Sequence, residues 1–222
     1  MKPIYSILLF ILLSLPLSGQ TLEEKLVEIT CACMNETREQ LAQGESDRVL
    51  LDRCFSKYIE EYQPEFVQRM EEEESDLDYP DFAFKVLMDI QEELVDNCDP
   101  YYKMLSQEMD NMVAAFEIQL EEISLENLNT EIAAKPTVVN LSHRGIKLYM
   151  AKQYETAEID FNEAMKLDPK NPMPRTWLGF MAMKQEDYQK SLEVFSKAKE
   201  ETNEYGFIMF TALVKRKLAE KK

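Results

Sequence analysis

The sequence predicts an all-α fold: an N-terminal disulfide-linked helical region packed on a short C-terminal stack of helical hairpins. Three observations lead there. Glycine and proline are scarce, with 5 and 9 residues in 222, while Leu, Glu, Lys, Met and Ala, the good helix formers, are abundant. Apolar residues recur at intervals of three and four along most of the chain. From Val138 onward the chain resembles itself at an offset of 34 residues. With 45% apolar residues, there is enough hydrophobic material for a real core.

Residues 1–19 are read as a signal peptide. Lys2 supplies the positive start, Ile7 through Leu15 is apolar except for Ser14, and Pro16, Ser18 and Gly19 precede the polar Gln20 and Thr21. The apolar run falls short of the roughly 20 residues that span a bilayer. The first cysteine, Cys31, lies too far on for a lipoprotein cut. The chain is therefore expected to be exported, periplasmic or extracellular, with no stable membrane insertion once the leader is removed. Its net charge of −17 argues against nucleic acid as a partner, because a phosphate backbone is repelled at long range.

The region 20–135 reads as a string of helices. Thr21 with Glu24 forms a capping box, and the helix it starts runs toward Gly44. Ser46 or Asp47 caps the second helix, which Pro64 kinks unless it starts a new turn. The run Glu71–Glu74 is read as a solvated helix end, since adjacent carboxylates fan out around a helix whereas calcium ligands must converge. Pro80 opens a helix that continues to Cys98. Asp99 and Pro100 begin a fourth, rich in large apolar groups that include Met104, Met109, Met112, Val113 and Phe116. Ser124 caps a shorter helix to Ala134, and Lys135–Thr137 form a junction.

All four cysteines, Cys31, Cys33, Cys54 and Cys98, lie in this region. An even count behind a leader suggests two disulfides. Cys31 and Cys33 point to nearly opposite sides of one helix and cannot readily join each other. Each should take one of Cys54 and Cys98, with the pairing left open. Zinc would need four thiolates converging on a point, and a redox pair usually has two intervening residues. Both are weaker readings.

The 34-residue offset carries Gly145 to Gly179, Tyr154 to Tyr188, Ala157 to Ser191, Phe161 to Phe195 and Ala164 to Ala198, with Pro169 after the first unit. In these residues the region resembles the tetratricopeptide-repeat (TPR) family. The resemblance implies repeats at 138–171 and 172–205 and a capping helix at 206–222, together a domain at 136–222 in the form of a short α-solenoid. Small residues would allow close helix crossings, and the rings would fill the space between helices. Arg144 stands where the family has Leu, Arg175 where Trp is common, Ala182 replaces a larger residue, and Asn203 replaces proline. The family's concave face, carried over by position, would present Ser142, Ile146, Tyr149, Thr176, Phe180, Met183 and Phe207. Ser142 and Ile146 occupy sites where chaperone-binding relatives carry Lys and Asn, which argues against a carboxylate clamp. The apolar groove awaits either a partner's segment or the chain's own preceding helix, and the amphipathic segments upstream favour the second.

No nucleophile–base constellation is visible around His143, the only histidine, and the glycines are too scattered for a phosphate-cradling loop. The expected function is that of an exported, non-enzymatic protein-interaction module of the adaptor or scaffold type, without cofactor, whose partner is an unidentified protein or peptide. The alternative is a structural or oligomerising helical domain, and metal binding is a minor third.

Overall fold

A reciprocal cap starts the first helix. The Glu24 amide donates to the Thr21 hydroxyl, and the Thr21 amide donates to the Glu24 carboxylate at 2.9 Å, which satisfies two otherwise orphaned donors. The computed structural model describes residues 20–38, 46–202 and 204–221. Among them are twelve helices and no strand. The leader, Gly44 and Asn203 lie outside the described residues.

Helix α1 spans Leu22–Arg38, and α2, capped by Ser46, spans Asp47–Glu61. Pro64 stands in the first turn of α3, Gln63–Glu72, where a missing N–H costs nothing. Glu73 ends α3 and pairs with Arg69 at 2.7 Å and Lys85 at 2.9 Å. These two cations hold its carboxyl below the usual range. Glu74, at a φ of 50°, turns the chain.

The helix expected to run from Pro80 to Cys98 is two helices, a correction to the sequence reading. Helix α4, capped by Asp78, spans Tyr79–Asp89, and α5 spans Gln91–Asn97. The break at Ile90 has a visible cause. The buried Gln91 side chain donates to the Leu87 carbonyl at 2.6 Å and accepts from the Tyr101 hydroxyl, so a side chain replaces a ladder hydrogen bond. Helix α6, Asp99–Leu120, is the longest at 22 residues, and α7, Leu125–Ala134, follows from a Ser124 cap.

Thr137 and Asn140 form a capping box at the start of α8, Val138–Met150. Then come α9 (Tyr154–Leu167), α10 (Pro172–Lys184), α11 (Tyr188–Thr202) and α12 (Gly206–Glu220). Helix α8 packs on α9, α9 on α10, α10 on α11 and α11 on α12, while α7 lies against α8.

Two disulfides hold the N-terminal half. Cys31 joins Cys98 with Cα atoms 5.4 Å apart, and Cys33 joins Cys54 at 6.0 Å. The first ties α1 to the α5–α6 corner, the second ties α1 to α2. Each of Cys31 and Cys33 thus takes one of the other two, and no thiolate is left for zinc. The two halves meet where α12 packs on α5 and α6. There the Arg216 guanidinium lies 4.0 Å above the Tyr102 ring, donates to the Val95 carbonyl and pairs with Asp99. Lys215 bonds Glu92 at 2.5 Å, and Tyr102 donates to Glu220 at 3.2 Å. No described helix is long and apolar enough to cross a membrane. The disulfides suit an oxidising, exported compartment.

Candidate functional site

The 34-residue offset in sequence is also an offset in local geometry. Helix α8 begins at 138, α10 at 172 and α12 at 206. The turn after α8 places Lys152 at a φ of 58°, and the turn after α10 places Glu186 at 59°. In the first turn Gln153 N–H reaches the Leu148 carbonyl at 2.8 Å; in the second Asp187 N–H reaches that of Ala182 at 2.9 Å. The two turns thus share their left-handed residue and their hydrogen bonding.

At each crossing glycine faces a ring. A β-carbon on Gly145 would stand 2.7 Å from Phe161 Cε1, and one on Gly179 would approach the Phe195 ring more closely still. Only a bare Cα leaves room for the phenyl group. Ala157, Ala164 and Ala198 are buried, and Ser191, also buried, donates to the Gly179 carbonyl at 3.0 Å. Tyr154 and Tyr188 are half-buried at the starts of α9 and α11, and Pro169 follows the end of α9.

The departures from the family pattern acquire partners. Arg144 forms a two-pronged bond with the buried Asp160, at 2.8 and 2.6 Å, and a third to Asn129 of α7 at 2.8 Å. The positions 34 residues on are Leu178 and Val194, so an ion pair in one hairpin stands where the other has two aliphatics. Arg175 donates to the Pro169 carbonyl at 2.9 Å and pairs with Glu201, bridging the inter-hairpin turn to α11. Ala182 is fully buried. His143 is half-buried beside Glu131, and burial pulls its pKa below the ordinary value against that carboxylate.

Of the seven positions that the resemblance assigns to a concave face, six are buried: Ser142, Ile146, Tyr149, Phe180, Met183 and Phe207; Thr176 is half-buried, its hydroxyl bonded to the Pro172 carbonyl at 3.0 Å. Helix α6 covers part of that face. Phe116 meets Trp177 edge to face at 5.3 Å, and Trp177 in turn meets Tyr149 at 5.5 Å and Phe180 at 5.9 Å. Lys147 donates to the Leu120 carbonyl at 2.7 Å, which fastens the C-terminus of α6 to α8. Burial, with Asp110 and Glu117 of α6 nearby, pushes the Tyr149 hydroxyl up to about 12. A shallow cleft of about 200 Å³ remains between Met109 and Val113 of α6 and Phe180 and Met183 of α10. Trp177 is the hub of this seam, a role its sequence position did not announce; its being the single tryptophan was the only signal.

A second, larger cleft lies in the N-terminal half. It is about 510 Å³ and is walled by α2, α4, α6 and Met209 of α12. Sequence reading missed it, because four helices far apart in the chain converge there. Comparison with family models, with curated proteins and with solved structures finds no match to this chain.

Proposed function

We propose that this chain is an exported, non-enzymatic protein-interaction module, a short TPR-type scaffold whose concave face is covered in part by its own helix α6. The single observation that carries the reading is the aromatic seam of Phe116 on Trp177, Tyr149 and Phe180. It occupies the positions at which a ligand would lie in an open member of the family. The matched turns and glycine–phenylalanine crossings support the repeat assignment, and the two disulfides support export. On this reading α6 takes the place of a partner's helix, and other proteins engage the outer surfaces. The buried concave face also favours a second reading, a self-contained structural domain.

Affinity capture of the native chain under non-reducing conditions, run beside Phe116→Asp, tests both. The module reading expects one stoichiometric partner, recovered equally by the two forms. A partner recovered only by Phe116→Asp would move the binding site into the groove. Persistent absence of any stoichiometric partner would overturn the interaction role and leave the structural one.

A further inference from the structure

The cleft between α2, α4, α6 and α12 has the dimensions of a ligand site, about 510 Å³ against roughly 300–1,000 Å³ for small-molecule pockets. Its walls are carbon and sulfur: Leu51, Phe55 and Ile59 on α2, Met88 on α4, Met104 on α6 and Met209 on α12. Tyr101 also faces it, but the phenol is spent on Gln91, whose amide is in turn bonded to the Leu87 carbonyl at 2.6 Å. The wall therefore offers a ligand apolarity and little else. Three unbranched methionine side chains let it conform to a flexible guest better than to a rigid one.

The rim differs from the interior. Arg48, Asp52 and Ser56 are exposed, and Glu108 is half-buried. One cation and two carboxylates thus border an apolar hollow. Phe84, which lines the cleft, is 44% exposed and stacks edge to face on Tyr205, itself 50% exposed, at 5.0 Å. An exposed aromatic pair continuous with an apolar hollow marks a binding surface.

We propose that this cleft binds the single acyl chain of a zwitterionic amphiphile. The chain lies among the methionines and leucines, with the head's phosphate toward Arg48 and its ammonium toward Asp52 and Glu108. The net charge of −17 opposes an anionic head at long range, and the mixed rim matches a head of both signs. The cleft lies apart from the concave positions of the repeats, so the proposal does not rest on the interaction reading.

The test is calorimetric titration of the disulfide-bonded chain with octyl-, decyl- and dodecylphosphocholine, each below its micelle concentration. Affinity should climb about fourfold per added methylene, about 0.8 kcal/mol. Ser56→Trp, which fills the mouth from an exposed position, should weaken dodecylphosphocholine at least about tenfold while leaving the thermal midpoint in place. Arg48→Glu should weaken dodecylphosphocholine and strengthen dodecyltrimethylammonium, which lacks the phosphate. Equal affinity across the ladder, or a Ser56→Trp variant that binds as the parent does, would overturn the acyl site. Binding of no member would overturn it too, and would leave the hollow as an apolar face for a macromolecule.

Discussion

At Gly179 a β-carbon would enter the space of the Phe195 ring, and at Gly145 it would press on Phe161 with less force. Alanine is the better helix former by about 1 kcal/mol, whereas overpacking costs about 1–3 kcal/mol. The balance should be a net loss of about 2 kcal/mol for Gly179→Ala and about 1 kcal/mol or less for Gly145→Ala, read from the midpoint of urea unfolding. The Arg144–Asp160 pair poses the opposite kind of test. Removing one partner strands a buried charge, so Asp160→Ala should lose about 2–3 kcal/mol, somewhat below the full buried-pair figure because Arg144 is partly exposed. Replacing both, Arg144→Leu with Asp160→Val, installs the residues found 34 positions on and should recover most of that loss, with the Asn129 bond still missing. A double variant no better than Asp160→Ala would mean that the two hairpins are not packed alike.

Three of the helices that start at a side-chain cap were legible as such in the sequence; the caps at Asp78, Thr137 and Asn171 were not. Thr21, Ser46 and Ser124 each signalled the helix they cap, because a cap is a bond between near neighbours. The division of α4 from α5 was hidden, since the bonds that replace the ladder at Ile90 involve Gln91 and Tyr101 across a packed corner. Helix α12 shows both situations. Its basic C-terminal turn suited a helix end, but sequence alone did not reveal that Arg216 would sit on Tyr102 and pair with Asp99. That pairing holds the Asp99 carboxyl below its ordinary value of 3.8. A depressed carboxylate stabilises the fold at pH values above its unfolded pKa, and the contribution fades as pH falls below about 4. Arg216→Ala, which also removes the Tyr102 stacking and the Val95 bond, should lower the thermal midpoint by about 3 °C near neutrality. The gap from the parent should narrow in acid, which differential scanning calorimetry at neutral pH and at pH about 3 would record. A gap that stayed constant would assign the effect to the Tyr102 stacking and the Val95 carbonyl bond, neither of which titrates in that range.

For the whole molecule, the partition of the cysteines was readable, because residues two apart on a helix point to nearly opposite sides and cannot readily join each other. Which of Cys54 and Cys98 each would take was not readable, since that depends on how α1 meets the α5–α6 corner. The placement of α6 against Trp177 and the cleft beside α2 were hidden for the same reason: both are products of long-range packing, and neither leaves a local pattern. In the loop-entropy account, a link spanning 67 residues stabilises by about 4 kcal/mol and one spanning 21 by about 3 kcal/mol. Removing the outer pair, Cys31→Ser with Cys98→Ser, should thus destabilise more than removing Cys33 and Cys54. Guanidinium titrations of the two double variants would show the order, and the reverse order would place the tighter constraint at the α1–α2 link.

The shorter link lies inside the span of the longer one, and this nesting decides what a protease can release. Cleavage anywhere between Cys31 and Cys98 leaves both pieces tethered, and the nicked chain keeps its mass until a reductant is added. A single cut liberates a fragment only outside that interval, for example in the 135–137 junction before α8. In an environment rich in hydrolases the N-terminal half therefore survives a first cut as one covalent object, that nick visible only on a reducing gel, whereas two cuts between Cys54 and Cys98 free the peptide between them.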